Sequence, residues 1–284
     1  MEIGWFKIRG KLRRPLCGSR CRAPVRACRK RISSAGRRDG FREPRAQHKP
    51  QSGHGPPTRN SRRPAAPAPV RVTPMSAIGR HVSKLSGYAP ALPTPFNDQD
   101  DIDVDAFAHL CDLQIANGAT ALVVCGTTGE APTLSRPERG ELIRIAVGAS
   151  RGRVPVIAGA GSNATTQAIE LSKVAEANGA DAILSVVPYY NKPTQEGLYA
   201  HYCEVAASTG LPIILYDVPS RAGRGLADET VARLAEVRQI IGLKDAAGDI
   251  TRPARLRALL GLDFRLFSGD DAVALAYFAE GGDG

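Results

Sequence analysis

Residues 116–125 read ANGATALVVC, and residues 177–187 read ANGADAILSVV. These are two copies of one pattern, 61 residues apart, in which Ala-Asn-Gly-Ala leads into an apolar run. A glycine just after a helix can adopt the left-handed conformation that ends the helix and turns the chain into the next strand. Two units of about 30 residues, the usual size of a strand–helix–strand unit, fit in that interval. The repeat therefore predicts a chain built from alternating strands and helices.

The same alternation continues on both sides of the repeat. The apolar runs are short, rich in Val and Ile, and apolar on both faces, which is typical of parallel strands buried between helices. The predicted strands are 88–93, 120–125, 154–158, 182–187, 212–216, 239–244 and 264–267. The predicted helices are 103–117, 136–149, 164–178, 194–209, 227–237, 251–260 and 270–280. Alternation of this kind indicates an α/β fold with a parallel sheet.

Seven strands at this spacing favour a (β/α)8 barrel over residues 86–284. An open dinucleotide-binding sheet is the structural alternative, but no G-x-G-x-x-G motif follows the first predicted strand. The sequence reaches Gly281-Gly282-Asp283-Gly284 directly after the seventh predicted helix, so the eighth strand is not predicted. We therefore expect a barrel that is truncated after its seventh unit, with two unpaired edges.

The basic charge of the protein is concentrated in its first quarter. The whole sequence has 38 Lys and Arg against 28 Asp and Glu, and residues 1–74 contain 20 of those bases but only 3 of the acids. That segment also holds ten prolines and shows almost no apolar periodicity. A segment this charged buries too little apolar surface to offset its ordering entropy. Residues 1–74 are therefore predicted to be a disordered tail, and the remaining sequence is mildly acidic.

Two other interpretations of residues 1–74 remain open. An Arg-rich arm attracts phosphate, but no recognisable nucleic-acid-binding module accompanies the charge, so a nucleic-acid partner is not favoured. An organelle transit peptide is also Arg-rich and acid-poor, although few serines and many prolines weaken that reading. Upstream sequence translated in error, with Met75 as the natural start, fits the segment equally well.

The cysteines and the hydropathy exclude several other classes of protein. Cys17, Cys21 and Cys28 lack the paired spacing of a zinc site, so no metal is expected. Three further cysteines lie in apolar segments and are expected to be reduced core thiols: Cys111, Cys125 and Cys203. Reduced thiols indicate a reducing compartment such as the cytoplasm. No apolar run approaches the roughly 20 residues needed to cross a bilayer, so no membrane partner is expected.

Polar residues and one glycine follow the predicted strands at their carboxyl ends, which all open on one face of a parallel barrel. In chain order they are Thr127, Thr128, Tyr189, Tyr190, Tyr216, Arg221, Lys244, Ser268, Gly269 and Asp270. The set combines an amine, phenols, hydroxyls and a guanidinium. It therefore indicates covalent or acid–base chemistry at that face rather than metal chemistry.

Lys244 is the most informative of these residues, because it ends the apolar run Ile240–Leu243. Burial and a nearby arginine both lower the pKa of an amine, and a neutral amine attacks a ketone to form an imine. A lysine that reaches out to solvent, or one that pairs with Asp245, is the alternative. Tyr216 could relay a proton or be an ordinary rim aromatic, and Arg221 could clamp a carboxylate or be a surface charge.

Five motifs in order resemble the dihydrodipicolinate synthase and N-acetylneuraminate lyase family of class I pyruvate-dependent aldolases. They are GTTGE at 126–130, PYYNKPTQEGLY at 188–199, LYDVPSR at 215–221, GLKDAAG at 242–248 and SGDD at 268–271. The first two are more similar to the synthase branch than to the sialate lyase branch. The resemblance covers residues 86–284 and excludes the tail.

The resemblance implies that Lys244 forms a Schiff base with pyruvate, whose carboxylate binds near Thr127 and Thr128. Tyr216 would relay protons with Thr127, and Tyr190 would reach across a dimer interface in a dimer of dimers. Arg221 would hold the carboxylate of aspartate semialdehyde. The product would be 4-hydroxy-tetrahydrodipicolinate, on the route to diaminopimelate and lysine, made without a cofactor because the imine is the electron sink.

Three positions depart from the family pattern and leave alternatives open. Asp217 stands where many members have Asn, and Ala222 and Ala247 stand where the synthase often has hydroxyl residues. Another pyruvate aldolase or a sugar-acid dehydratase on the same scaffold is therefore the nearest rival function. An inactive fragment and a nucleic-acid-binding protein are rivals from other classes.

Overall fold

Six parallel strands form one curled sheet in which the spatial order of the strands follows their order in the sequence. The computed structural model describes residues 85–284, so the predictions for residues 1–74 lie outside the described part. The strands are β1 Leu122–Val124, β2 Val156–Gly159, β3 Ala182–Val186, β4 Ile213–Asp217, β5 Ile240–Asp245 and β6 Arg265–Ser268. This order, with a helix after every strand, is that of a TIM-type (β/α) barrel, which confirms the predicted fold class.

The helices lie where the sequence predicts them, within a few residues. They are α1 Val104–Ala116, α2 Arg136–Ser150, α3 Thr165–Ala177, α4 Gln195–Ala207, α5 Pro219–Ala222, α6 Asp228–Ala235, α7 Arg252–Leu260 and α8 Ala274–Ala279. The short α5 was not predicted, because four residues are too few to show a helical period. The seventh predicted helix begins four residues late, since Asp270 accepts a hydrogen bond from the Ala272 amide and holds that segment in a turn.

Local signals set the helix ends. Ser135 and Glu138 form a capping box at the start of α2, and Asp103 accepts a hydrogen bond from the Ala106 amide at the start of α1. Gly118 and Gly179, the glycines of the two Ala-Asn-Gly-Ala repeats, have φ of 90° and 84°. This confirms that each repeat ends a helix with a glycine in a conformation that other residues rarely adopt.

The strands are buried on both faces, as the sequence predicted. Alternate side chains such as Val123, Ile157 and Leu184 point into the barrel and pack together. Their neighbours on the same strands, such as Leu122 and Ile183, pack outward against the helices. Because successive strand residues point to opposite faces, each strand contributes to two separate cores. The same alternation decides which polar residues at the strand ends face the barrel interior.

The barrel wall continues beyond the six strands at both edges of the sheet. Residues 88–92 run beside β1, where the Leu92 amide donates to the Val123 carbonyl and Ala91 forms a parallel bridge with Val123. At the other edge the Asp283 amide donates to Leu266, and the Asp283 carbonyl accepts from the Gly87 amide. Asp283 thus joins β6 to the first segment, so the predicted pair of unpaired edges is wrong at this level of the barrel.

Among residues 85–284, no helix is both long enough and apolar enough to span a membrane.

Candidate active site

Lys244 lies at the end of β5, with its side chain in the barrel interior. Its Nζ sits 4.8 Å from the centre of the Tyr216 ring on the neighbouring strand. Tyr216 and Lys244 are register partners across β4 and β5, which places their side chains on the same face of the sheet. Burial lowers the pKa of the Lys244 amine, and the Asp271 carboxylate offsets part of that effect. A larger fraction of neutral, nucleophilic amine is therefore present at neutral pH than in a solvated lysine.

The alternative in which Lys244 pairs with Asp245 is wrong. Asp245 is the next residue along the strand and points to the opposite face, where its Oδ1 accepts from Nη1 of Arg252 at 3.2 Å. The same oxygen also accepts from the Ala247 amide at 2.9 Å. Because Asp245 binds Arg252 on the outer face of the sheet, it does not neutralise the Lys244 amine, which lies in the barrel interior.

Tyr216 is 8% exposed and lies between Lys244 and Thr127. Burial raises the pKa of its phenol, whereas a hydrogen bond with the Thr127 hydroxyl and the charge of Arg221 both lower it. A phenol that lies close to both a hydroxyl and an amine can serve as a proton relay between them.

Two cavities border these residues. Thr127, Tyr216 and Arg221 line one of 280 Å³, which Tyr189 and Arg139 also border. Thr128 and Lys244 line the second, of 560 Å³, together with Ser268, Gly269 and Asp271. The structure thus divides the predicted site residues between two neighbouring cavities, and the Tyr216 ring touches both the Lys244 amine and the first cavity.

Tyr190 lines neither cavity. Its side chain is 89% exposed, although its own backbone has φ of 74° and its amide donates to the Ala222 carbonyl. A non-glycine residue at positive φ is held there by its surroundings. The backbone is thus fixed while the aromatic side chain is exposed at the surface.

The sequence placed Gly269 at a strand end without giving it a role, and it did not single out Arg139 as a site residue. A Cβ on Gly269 would lie 3.1 Å from Lys244 Cε and 2.9 Å from the Ala246 Cβ, so a side chain there would displace the lysine. The glycine of the SGDD motif at 268–271 was the sequence signal for this close approach to the lysine. Arg139 is buried, donates to the backbone carbonyls of Gly159 and Ala131, and borders the first cavity. A charged residue within a helix has no sequence pattern that predicts burial.

Within residues 85–284, no three His, Cys, Asp or Glu side chains come together in a way that could hold a metal ion. Cys111 and Cys125 are buried free thiols, as predicted, whereas the free thiol of Cys203 is only partly buried. Burial raises the pKa of Cys111 and of Cys125 to about 12, so both are unreactive at neutral pH.

Comparison with known proteins gives a consistent answer. The sequence model of the dihydrodipicolinate synthetase family matches residues 84–284. The 4-hydroxy-tetrahydrodipicolinate synthase of Rhodopseudomonas palustris is 50% identical over 198 residues, which cover 70% of this chain and 67% of that protein. The structure of the 4-hydroxy-tetrahydrodipicolinate synthase of Methylacidiphilum fumariolicum SolV superposes with a TM-score of 0.69 at 44% identity, covering 71% of this chain and 67% of that one.

A third relative shows a ligand. The chloride-inhibited dihydrodipicolinate synthase of Acinetobacter baumannii, solved in complex with pyruvate, is 44% identical with a TM-score of 0.69, covering 70% of this chain and 68% of that one. The family match covers residues 84–284, which include all of the six-stranded sheet that the structure describes. The chain therefore belongs to the dihydrodipicolinate synthetase family.

Proposed function

We propose that the protein is a Schiff-base aldolase, a lyase that condenses pyruvate with aspartate semialdehyde to give 4-hydroxy-tetrahydrodipicolinate in lysine biosynthesis. The observation that carries the proposal is the Lys244 amine, with its lowered pKa, which lines one cavity and lies 4.8 Å from the centre of the Tyr216 ring, which lines the other. The names of the relatives support the substrates, and the pyruvate complex of the Acinetobacter baumannii enzyme supports the first of them.

The first step is imine formation. The neutral Lys244 amine attacks C2 of pyruvate, and the resulting carbinolamine loses water to leave an imine. In this proposal Tyr216 and Thr127 carry the proton that the departing hydroxyl needs, since both line the smaller cavity and the Thr127 side chain lowers the pKa of the Tyr216 phenol. The pyruvate carboxylate binds among the hydroxyls and amides of the Thr127–Thr128 turn, which presents donors to both cavities.

The second step forms the carbon–carbon bond. The pyruvate methyl group then loses a proton to give an enamine. The electron pair of the broken C–H bond forms the new carbon–carbon double bond, and the electron pair of the C=N bond moves to the iminium nitrogen. The enamine carbon attacks the aldehyde, and transimination and cyclisation then release the product and the free lysine. Arg221, which borders the smaller cavity, holds the semialdehyde carboxylate with its guanidinium. No cofactor is needed because the imine stores the electrons.

We also propose that the enzyme works in the cytoplasm as a homo-oligomer, a dimer of dimers. The 89% exposed Tyr190 side chain on a constrained backbone supports a contact with a second copy. The free thiols of the described region support a reducing compartment.

Borohydride reduction in the presence of pyruvate tests the chemistry. The expected result is one reduced pyruvate adduct, mapped by peptide mass spectrometry to Lys244 and absent from Lys244→Ala. The exposed Lys173 on α3 supplies the matched control, because Lys173→Ala should keep the full adduct. A full-strength adduct in Lys244→Ala, or no adduct in the unaltered protein, would contradict the proposal. Aspartate semialdehyde consumption by the unaltered protein distinguishes the synthase from a sugar-acid dehydratase.

A further inference from the structure

A buried ionic cluster lies on the outer face of the sheet, directly behind the candidate site. Asp217 and Asp245, which follow Tyr216 and Lys244 in the sequence, are both buried. Nη1 of Arg252 donates to Oδ2 of Asp217 at 2.8 Å and to Oδ1 of Asp245 at 3.2 Å. Arg252 is itself only 4% exposed and is the first residue of α7. One guanidinium nitrogen therefore joins the ends of the two strands that carry the reactive side chains.

The sheet geometry couples this cluster to the site. Tyr216 is paired with Lys244, and Asp217 is paired with Asp245, in the parallel register of β4 and β5. Since adjacent strand residues point to opposite faces, the first pair enters the barrel and the second faces the helices. Holding one pair of side chains from behind fixes the backbone from which the other pair projects. The Ala246 amide, which donates to the Asp217 carbonyl at 2.8 Å, continues the strand pairing just beyond this point.

Arg252 also anchors the cluster to the helical layer. Its Nε donates to Oδ1 of Asp228 at 2.8 Å, and its Nη2 donates to the Leu226 carbonyl at 2.7 Å. Asp228 is the first residue of α6. These bonds use donors on all three nitrogens of the rigid guanidinium fork, and a lysine amine, with one nitrogen, cannot reach all four partners at once.

Resting on the proposed function, we propose that Arg252 is a positioning residue that holds the Lys244 amine and the Tyr216 phenol in reacting register through the carboxylates of Asp245 and Asp217. It touches no substrate. Burial raises the pKa of both carboxyls, and the charge and hydrogen bonds of Arg252 offset part of that rise. The same bonds keep β4 and β5 from sliding relative to each other at their carboxyl ends.

The test compares Arg252→Lys with Arg255→Lys. Arg255 is the matched control, because it lies three residues further on α7 and also binds Asp228, but it is half exposed and contacts neither Asp217 nor Asp245. Two rates are measured per folded molecule, the fraction folded being taken from the thermal unfolding curve of each variant. One is imine formation with pyruvate. The other is acetylation of Lys244 by acetic anhydride between pH 7 and 10, which reports the reactivity and pKa of the amine without pyruvate.

In Arg252→Lys we expect imine formation to fall about tenfold or more and the pH profile of Lys244 acetylation to shift, while Arg255→Lys stays within twofold of the unaltered protein. A purely structural role would lower the melting temperature and leave both rates per folded molecule unchanged, and that result would overturn the inference. If the unaltered protein forms no imine, the proposed function fails, and the acetylation profiles of the two variants still decide the role of Arg252.

A second pair of variants covers the case in which Arg252→Lys does not fold. Asp217→Ala removes the acceptor used by Arg252 and by the Leu226 amide, whereas Asp217→Asn keeps a carbonyl oxygen in the same place. We expect Lys244 acetylation and imine formation to be altered several-fold in Asp217→Ala and restored to within twofold in Asp217→Asn. Equal rates in these two folded variants would refute positioning through this bond.

Discussion

His201 makes the stability of the protein depend on pH in a calculable way. The imidazole lies on α4 and is only 5% exposed, packed edge-on against Tyr202. Its Nδ1 lies 2.9 Å from the Thr165 hydroxyl oxygen, and its Nε2 is buried without a hydrogen-bond partner in the described part of the protein. Burial lowers the pKa of His201 to about 4, from 6.5. Between pH 6.5 and pH 4, His201 is therefore mostly neutral in the folded protein and mostly protonated in the unfolded chain.

The sign of the effect follows from proton linkage. Between pH 6.5 and pH 4 the unfolded state binds more protons than the folded state, so stability falls as the pH falls through that window. Above pH 6.5 the full stability is present, and below pH 4 no more is lost. A difference of about 2.5 pKa units corresponds to about 3 kcal/mol in all, of which about 2 kcal/mol is lost by pH 5. For a domain of about 200 residues, 2 kcal/mol lowers the melting temperature by roughly 4–8 °C.

The assay is urea unfolding followed by circular dichroism at pH 8, 6 and 5. The replacement His201→Gln keeps an acceptor for the Thr165 hydroxyl but has no proton to bind in this range, so its stability should fall about 2 kcal/mol less than that of the unaltered protein between pH 8 and 5. His109, which is exposed on α1, provides the control, and His109→Gln should leave the pH dependence nearly unchanged. Parallel pH curves for the unaltered protein and His201→Gln would refute the argument.

Two other predictions concern the ends of the described region and of the sequence. The Asp283 carboxylate binds Arg257 and Arg265 and accepts from the Leu266 amide at 2.7 Å, so Asp283→Ala should cost about 3 kcal/mol as a partly buried ion pair is broken. The melting temperature should fall by roughly 6–12 °C. The control is Asp112→Ala, which removes an exposed pair with Arg153 and should lower the melting temperature by at most about 4 °C. Equal losses in the two variants would contradict the stabilising role given to Asp283. Removal of residues 1–74, with Met75 as the start, should leave the melting temperature and the yield of pyruvate adduct essentially unchanged, because that segment has almost no apolar periodicity. A large loss of melting temperature would show the prediction to be wrong.

Much of the fold was predictable because its signals are local. The strand and helix positions follow from short apolar runs and helical patterns, and Gly118 and Gly179 mark helix ends by a conformation that glycine alone adopts readily. The four residues of α5 and the turn that delays α8 were missed, since neither is long enough to show a period. The bridge that Asp283 makes to Gly87 joins positions almost two hundred residues apart, and no local pattern encodes such a contact.

The sequence by itself determined the alternation of strands and helices, the barrel class and the set of polar residues at the strand ends, because hydrophobic periodicity and parallel topology decide all three. Only the tertiary structure decided how those residues divide between two cavities, that Asp245 binds Arg252 instead of Lys244, and that the Tyr190 side chain is exposed. The physical reason is that a side chain's partners and its pKa depend on burial and on charges brought together from distant segments. Those quantities exist only once the sheet has curled and the helices have packed against it.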